Sequence, residues 1–149
     1  MCARLLGGCE TIEGSAVAAY ISTLESLRNT TSAEDRNIGS QFAALTGSRS
    51  RNPDAYLALY QQLHASNTAL LIKLENIEPP AGIRRHHADF VGGLQDLVAA
   101  IDRVIALIEE GNVIAANREF QRAVTRSQAK QTGAMLSIRR VARSVGIRM

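Results

Sequence analysis

A chain of 149 residues, 46% hydrophobic and 21% charged, reads as one globular domain able to bury roughly two-thirds of the surface its unfolded form exposes. No stretch approaches about 18 uninterrupted apolar residues, so no segment reads as a spanning helix. Aromatics make up 4% and tryptophan is absent, so small and aliphatic side chains must fill the core. The net charge of +3 hides an uneven distribution: residues 112–149 carry eight basic side chains and one acid, residues 1–111 a net −4.

In chain order, residues 1–12 come first as a segment expected to be disordered or docked. Cys2 and Cys9 lie here. A disulfide closing so short a ring would add little to a helical domain. Leu6-Gly7-Gly8-Cys9 has the form of a bacterial lipobox, although little apolar sequence precedes it. Lipidation at Cys9 of a longer form is therefore the alternative reading.

The first helix is expected over about 13–46. Val17, Leu24, Thr31, Ile38 and Leu45 recur every seven residues, flanked by Tyr20, Leu27 and Phe42. Thr31-Ser32-Ala33-Glu34 has the form of a capping box and marks a candidate break, but continuous apolar phase on both sides favours one helix. Asn52-Pro53-Asp54 then supplies an N-cap and a proline in the first turn. The second helix, about 53–77, has the seam Tyr56, Tyr60, Leu63, Asn67, Leu70, Leu74, Ile77 and ends at Pro79-Pro80.

The third helix, about 83–110, has the clearest pattern: Ile83, His87, Phe90, Leu94, Leu97, Ile101, Val104 and Ile108 alternate steps of three and four. Gly111-Asn112 serves as one C-cap and the next N-cap. The fourth helix, about 112–145, carries Val113, Asn117, Phe120, Val124, Ser127, Gln131, Ala134, Ile138, Val141 and Val145, and Gly146 closes it. Three short connections turn each helix back on the last. The expected fold is all-α, an antiparallel up-down-up-down four-helix bundle.

Three features are candidates for function. The first is a basic stripe on the fourth helix, Arg118, Arg122, Arg126 and Lys130 at steps of four, continued by Arg139, Arg140 and Arg143. It suits an anionic partner: nucleic acid, lipid headgroups or an acidic protein. A solvated helix face is the simpler reading, and without interleaved aromatics the stripe does not suit base stacking.

The second is a polar layer at mid-bundle, where Thr31, Glu34, Asn67, Ser127 and Gln131 interrupt apolar seams opposite Gly92-Gly93. Paired glycines inside a helix, each costing about 1 kcal/mol, imply close backbone approach or a small ligand-sized cavity. A satisfied layer that sets helix register is the alternative. The third is an apolar end. If the first and fourth helices overshoot the second, Val17, Tyr20, Ile21, Ile138, Val141 and Val145 form a patch covered by a protein partner, a second copy or residues 1–12.

Catalytic and metal templates do not fit. His86 and His87 point about 100° apart, Glu-x-x-His does not occur, and no phosphate loop or nucleophile elbow is present. Neither a metal nor another cofactor is expected. Leu74-Glu75-Asn76-Ile77-Glu78-Pro79-Pro80, followed by His86 or His87 and then Phe90-Val91-x-Gly93-Leu94, resembles a pattern in uncharacterised bacterial secreted or lipid-anchored helical proteins. The resemblance covers about a third of the chain. It implies a cell-envelope bundle, with the bacterial cytoplasm as the other location, and assigns no functional residue. The expected function is a non-enzymatic structural or protein-interaction bundle. An anionic-partner module and a small-ligand binder are the alternatives.

Overall fold

The structure, a computed structural model, describes residues 6–48 and 52–148, with side chains from residue 14 onward in those ranges. Among them it is all-helical: α1 Leu6–Gly47, α2 Pro53–Glu75, α3 Arg84–Glu109 and α4 Val113–Ser144. The four pack as a bundle. Contacts such as Asp96 to Lys130 and Arg103 to Glu119 run in opposite chain order, as antiparallel neighbours require.

Local chemistry explains most of the boundaries. Asn52 Oδ1 accepts from the Asp54 amide at 3.1 Å, capping α2 just ahead of Pro53. Gly111 takes φ +79°, the Asn112 amide donates to the Leu107 carbonyl at 2.8 Å, and Asn112 Oδ1 caps α4 at the Ala115 amide. Two ends differ from expectation. The α1 backbone is helical from Leu6 rather than about Glu13, and α2 stops at Glu75, where Asn76 turns the chain. Cys2 and the Cys9 side chain lie outside the described residues.

α1 is unbroken at Thr31. Its hydroxyl donates back to the Leu27 and Arg28 carbonyls, both at 3.2 Å, instead of capping a new helix. Thr30 and Ser32 bond back to Ser26 and Asn29 in the same way. Such bonds satisfy the hydroxyls inside a continuous helix.

The core forms two clusters. One joins Val17, Tyr20, Ile21 and Leu24 of α1 to Leu74, Ile83, Val91, Leu94, Ile138 and Ala142. The other joins Tyr56, Tyr60, Ile101, Val104, Ile108, Val113 and Ala116, and Leu97 packs against both. Phe42, Tyr60 and Phe120 meet as a ring cluster with centroids 4.8–5.9 Å apart, and the Tyr60 hydroxyl donates to Asn117 Oδ1 at 2.8 Å. Burial, and then the neighbouring Tyr56, push the Tyr60 phenol well above its ordinary value.

The apolar end patch is not there. Val17, Tyr20, Ile21 and Ile138 are 1, 4, 6 and 0% exposed, and Val141 and Val145 are half-buried against the same cluster. Residues 76–83 pass over this end rather than turning tightly. Ile83 is fully buried there and Ile77 packs beside it. On α4, Gly146 at φ +86° sends Ile147 back, its amide donating to the Ala142 carbonyl at 3.0 Å, and Ile147 joins the cluster. The chain's own turns cover the surface assigned to a partner.

Candidate functional site

α4 has two unlike flanks. Towards α3 it sets Ser127 against Gly93, and with Ala116, Ala123 and Ala134 among its other buried small residues this is the most extensive interface in the bundle. Gly93 sits at its middle. A Cβ there would lie 3.0 Å from Gln131 Cγ and 3.4 Å from the Ser127 carbonyl, so only glycine fits without displacement. Ser127 Oγ donates to the Gly93 carbonyl at 2.7 Å, and Gln131 Nε2 donates to Ser127 Oγ at 2.8 Å.

Towards α1 the contact is slight. From Arg28 to Asn37, α1 offers no large apolar side chain, and in that stretch only Thr31 and Ser32 are half-buried. The result is a cleft of about 440 Å³. Leu24, Leu27, Leu70, Leu74, Phe90 and Met135 make its floor and walls, drawing on all four helices, while Glu25, Arg28, Asp35 and Arg139 stand at its rim. Leu136, half exposed, lies on the α4 lip. Partial burial, and then the Glu34 carboxylate, raise the Asp35 carboxyl above its ordinary value.

Below the cleft, at the edge of the core, His87 is held between three helices. Its Nδ1 is 2.8 Å from the Tyr20 hydroxyl, the rings meeting edge to face at 5.7 Å. Burial lowers the His87 pKa, and a bond to the Leu74 backbone partly opposes that. The neutral ring with its proton on Nε2 satisfies all three groups: it donates to the Leu74 carbonyl and accepts from the Tyr20 O–H. Burial also pushes the Tyr20 phenol up to about 12. This tie is structural, and the spacing of the third helix had already placed His87 on the seam.

The polar layer is only partly assembled. Ser127, Gln131 and Gly93 come together, whereas Asn67 Nδ2 donates to its own helix at the Leu63 carbonyl, 2.8 Å away. Glu34 is exposed, because α1 turns that side to solvent. Thr31 and Gln131 line the cleft instead of closing a layer. A cross-bundle register device therefore does not form.

The basic stripe is exposed throughout, but it is divided. Arg126 lies 3.5 Å from Glu119, and Lys130 2.9 Å from Asp96. Arg118, Arg122, Arg139, Arg140 and Arg143 have no acidic partner within 4 Å among the described residues. His64 pairs with Asp102 at 3.0 Å, joining α2 to α3. Among the described residues no three His, Cys, Asp or Glu side chains gather as metal ligands, and no helix is long and apolar enough to cross a membrane.

Sequence reasoning missed the cleft walls Leu27, Leu70, Phe90 and Met135 as a site, because Leu70 and Phe90 read as ordinary seam, Leu27 as its flank, and Met135 lies off the fourth helix's seam. The available signal was the run Arg28 to Asn37, which has no large apolar side chain in the middle of an otherwise apolar α1 seam. Fold and cleft together define an all-α bundle with one incompletely closed seam. No family model, no curated protein and no solved structure matches this chain.

Proposed function

We propose that this chain is a non-catalytic binding bundle whose site is the α1–α4 cleft and whose ligand is a small molecule with a substantial apolar part. The supporting observation is the cleft itself: about 440 Å³ with an apolar floor from four helices, within the size range of ligand sites. A merely structural bundle gains by closing such a seam, since each buried methylene contributes about 0.8 kcal/mol. Here nine of the ten α1 residues from Arg28 to Asn37 are polar, and their side chains bond back to their own backbone or are exposed.

The absence of tryptophan provides the test. Leu136→Trp places a single reporter on the exposed lip. Titration with dodecanol, below its solubility limit, should blue-shift its emission and raise Tm by roughly 5–10 °C near saturation. Leu27→Trp, which fills the cleft, should abolish the rise in Tm. An unmoved reporter together with an unmoved Tm would refute the reading.

A further inference from the structure

We infer that the cleft takes a single-chain amphiphile with an anionic head, held head-down toward the α4 C-terminus. This rests on the cleft being the binding site and adds the ligand's shape and polarity.

Shape comes from the dimensions. The α1 wall runs from Ile21 to Asp35, fourteen residue steps or about 21 Å of helix. Spread over that length, about 440 Å³ is proportioned for one extended chain.

Polarity comes from the ends. The level of each helix is set by Gly14, whose Cβ position lies 3.5 Å from the Val145 carbonyl. Because α1 and α4 run antiparallel, Arg139 stands near the level of Tyr20 and Ile21, at the lower mouth. Arg140 and Arg143 follow it on the same exposed helix end. None of the three has an acidic partner within 4 Å among the described residues. The upper mouth, beyond Thr31, carries Asp35 with Glu34 beside it. Between them, Glu25 and Arg28 lie one turn apart on the same wall, one charge of each sign.

An anionic head therefore meets the Arg139 guanidinium at one mouth and the Asp35 carboxylate at the other. The chain between lies along Leu24, Leu27, Phe90 and Met135. A reversed anion would face Asp35, and a cationic head at the lower mouth would face Arg139. The carboxylate of a free fatty acid and the phosphate of a single-chain lipid share the required chemistry.

The test compares dodecanoate, dodecyl phosphate, dodecanol and dodecyltrimethylammonium on the Leu136→Trp protein, each below micelle formation. An anion should bind at least about tenfold more tightly than the alcohol, in keeping with a charge-assisted contact. Whichever of carboxylate and phosphate binds more tightly identifies the head. Across decanoate, dodecanoate and tetradecanoate each pair of methylenes should tighten binding by about tenfold. Arg139→Gln with Arg143→Gln should remove most of the preference for the anion while changing the Kd for dodecanol less than twofold. Equal affinity for anion and alcohol would overturn the inference and leave the cleft reading intact, whereas tighter binding of the ammonium would reverse the polarity and overturn it too. Failure of all four probes would defeat both.

Discussion

The two flanks of α4 show how one helix can make a closed interface and an open one. Against α3 its side chains are alanine and serine, Gly93 lets the backbones approach, and Ser127 spans the gap at 2.7 Å. Against α1 it presents Gln131, Met135 and Leu136 to a cleft lined by Leu24 and Leu27, beyond which α1 offers no large apolar side chain from Arg28 to Asn37. Both flanks share the same heptad spacing. Spacing sets which way a residue faces, whereas side-chain size and polarity set how near the next helix comes.

The sharpest way to break this contrast is truncation on each side. Ile101→Ala, in the closed part of the core and fully buried, should cost about 3–4 kcal/mol in urea unfolding, from lost burial plus a cavity. Leu27→Ala should cost under about 1 kcal/mol, since its site is already open. Equal losses would mean that α1 closes onto α4 in solution.

Gly93→Leu tests the closed flank by overfilling it. It should cost about 2–3 kcal/mol, because the added atoms meet Ser127 backbone and the base of Gln131. A neutral result would show that α3 and α4 separate easily.

The His87 tie beneath the open flank should make stability depend on pH. Its folded pKa lies below the ordinary imidazole value of about 6.5, so across this window the unfolded chain binds the extra proton. The full contribution is present above about pH 6.5 and is lost as pH falls toward the folded value, with a slope of at most about 1.4 kcal/mol per pH unit. His87→Gln, which keeps a donor and an acceptor, should flatten the profile between pH 7 and 5. An unchanged slope in that variant would assign the dependence to other groups.

The smallest effects separate neighbouring positions. Asn67→Leu should stay within about 0.5 kcal/mol of the parent, as its amide bonds only within α2. Gly92→Ala should stabilise by roughly 0.5–1 kcal/mol through helix propensity, because its new Cβ meets only the mobile end of Lys130. Thermal melts would resolve both signs, and destabilisation by Gly92→Ala would show that Lys130 is held by Asp96 more firmly than a surface pair usually is.

Four helices, their order and most of their seams were legible in the residues. The eight-position pattern from Ile83 to Ile108 is buried or half-buried throughout, and the caps at Asn52, Gly111 and Asn112 form as their types require. These are local or periodic properties, governed by backbone geometry and by which face of a helix is apolar. The close approach at Gly93 was also legible, since glycine inside a helix needs a reason, whereas Gly92 beside it meets only the end of Lys130.

What the sequence by itself could not determine was how far apart the helices stand and how the ends close. Ile83 and Ile147 cover the end of the bundle because turn residues 76–83 and Gly146 return them to the core, which no count along a seam reveals. Thr31 and Gln131 fall on a cleft, not in a sealed layer, because α3 takes the close flank of α4 and α1 offers no large apolar side chain from Arg28 to Asn37. Burial at such positions depends on the joint volumes of residues distant in the chain, and only the packed structure decides it.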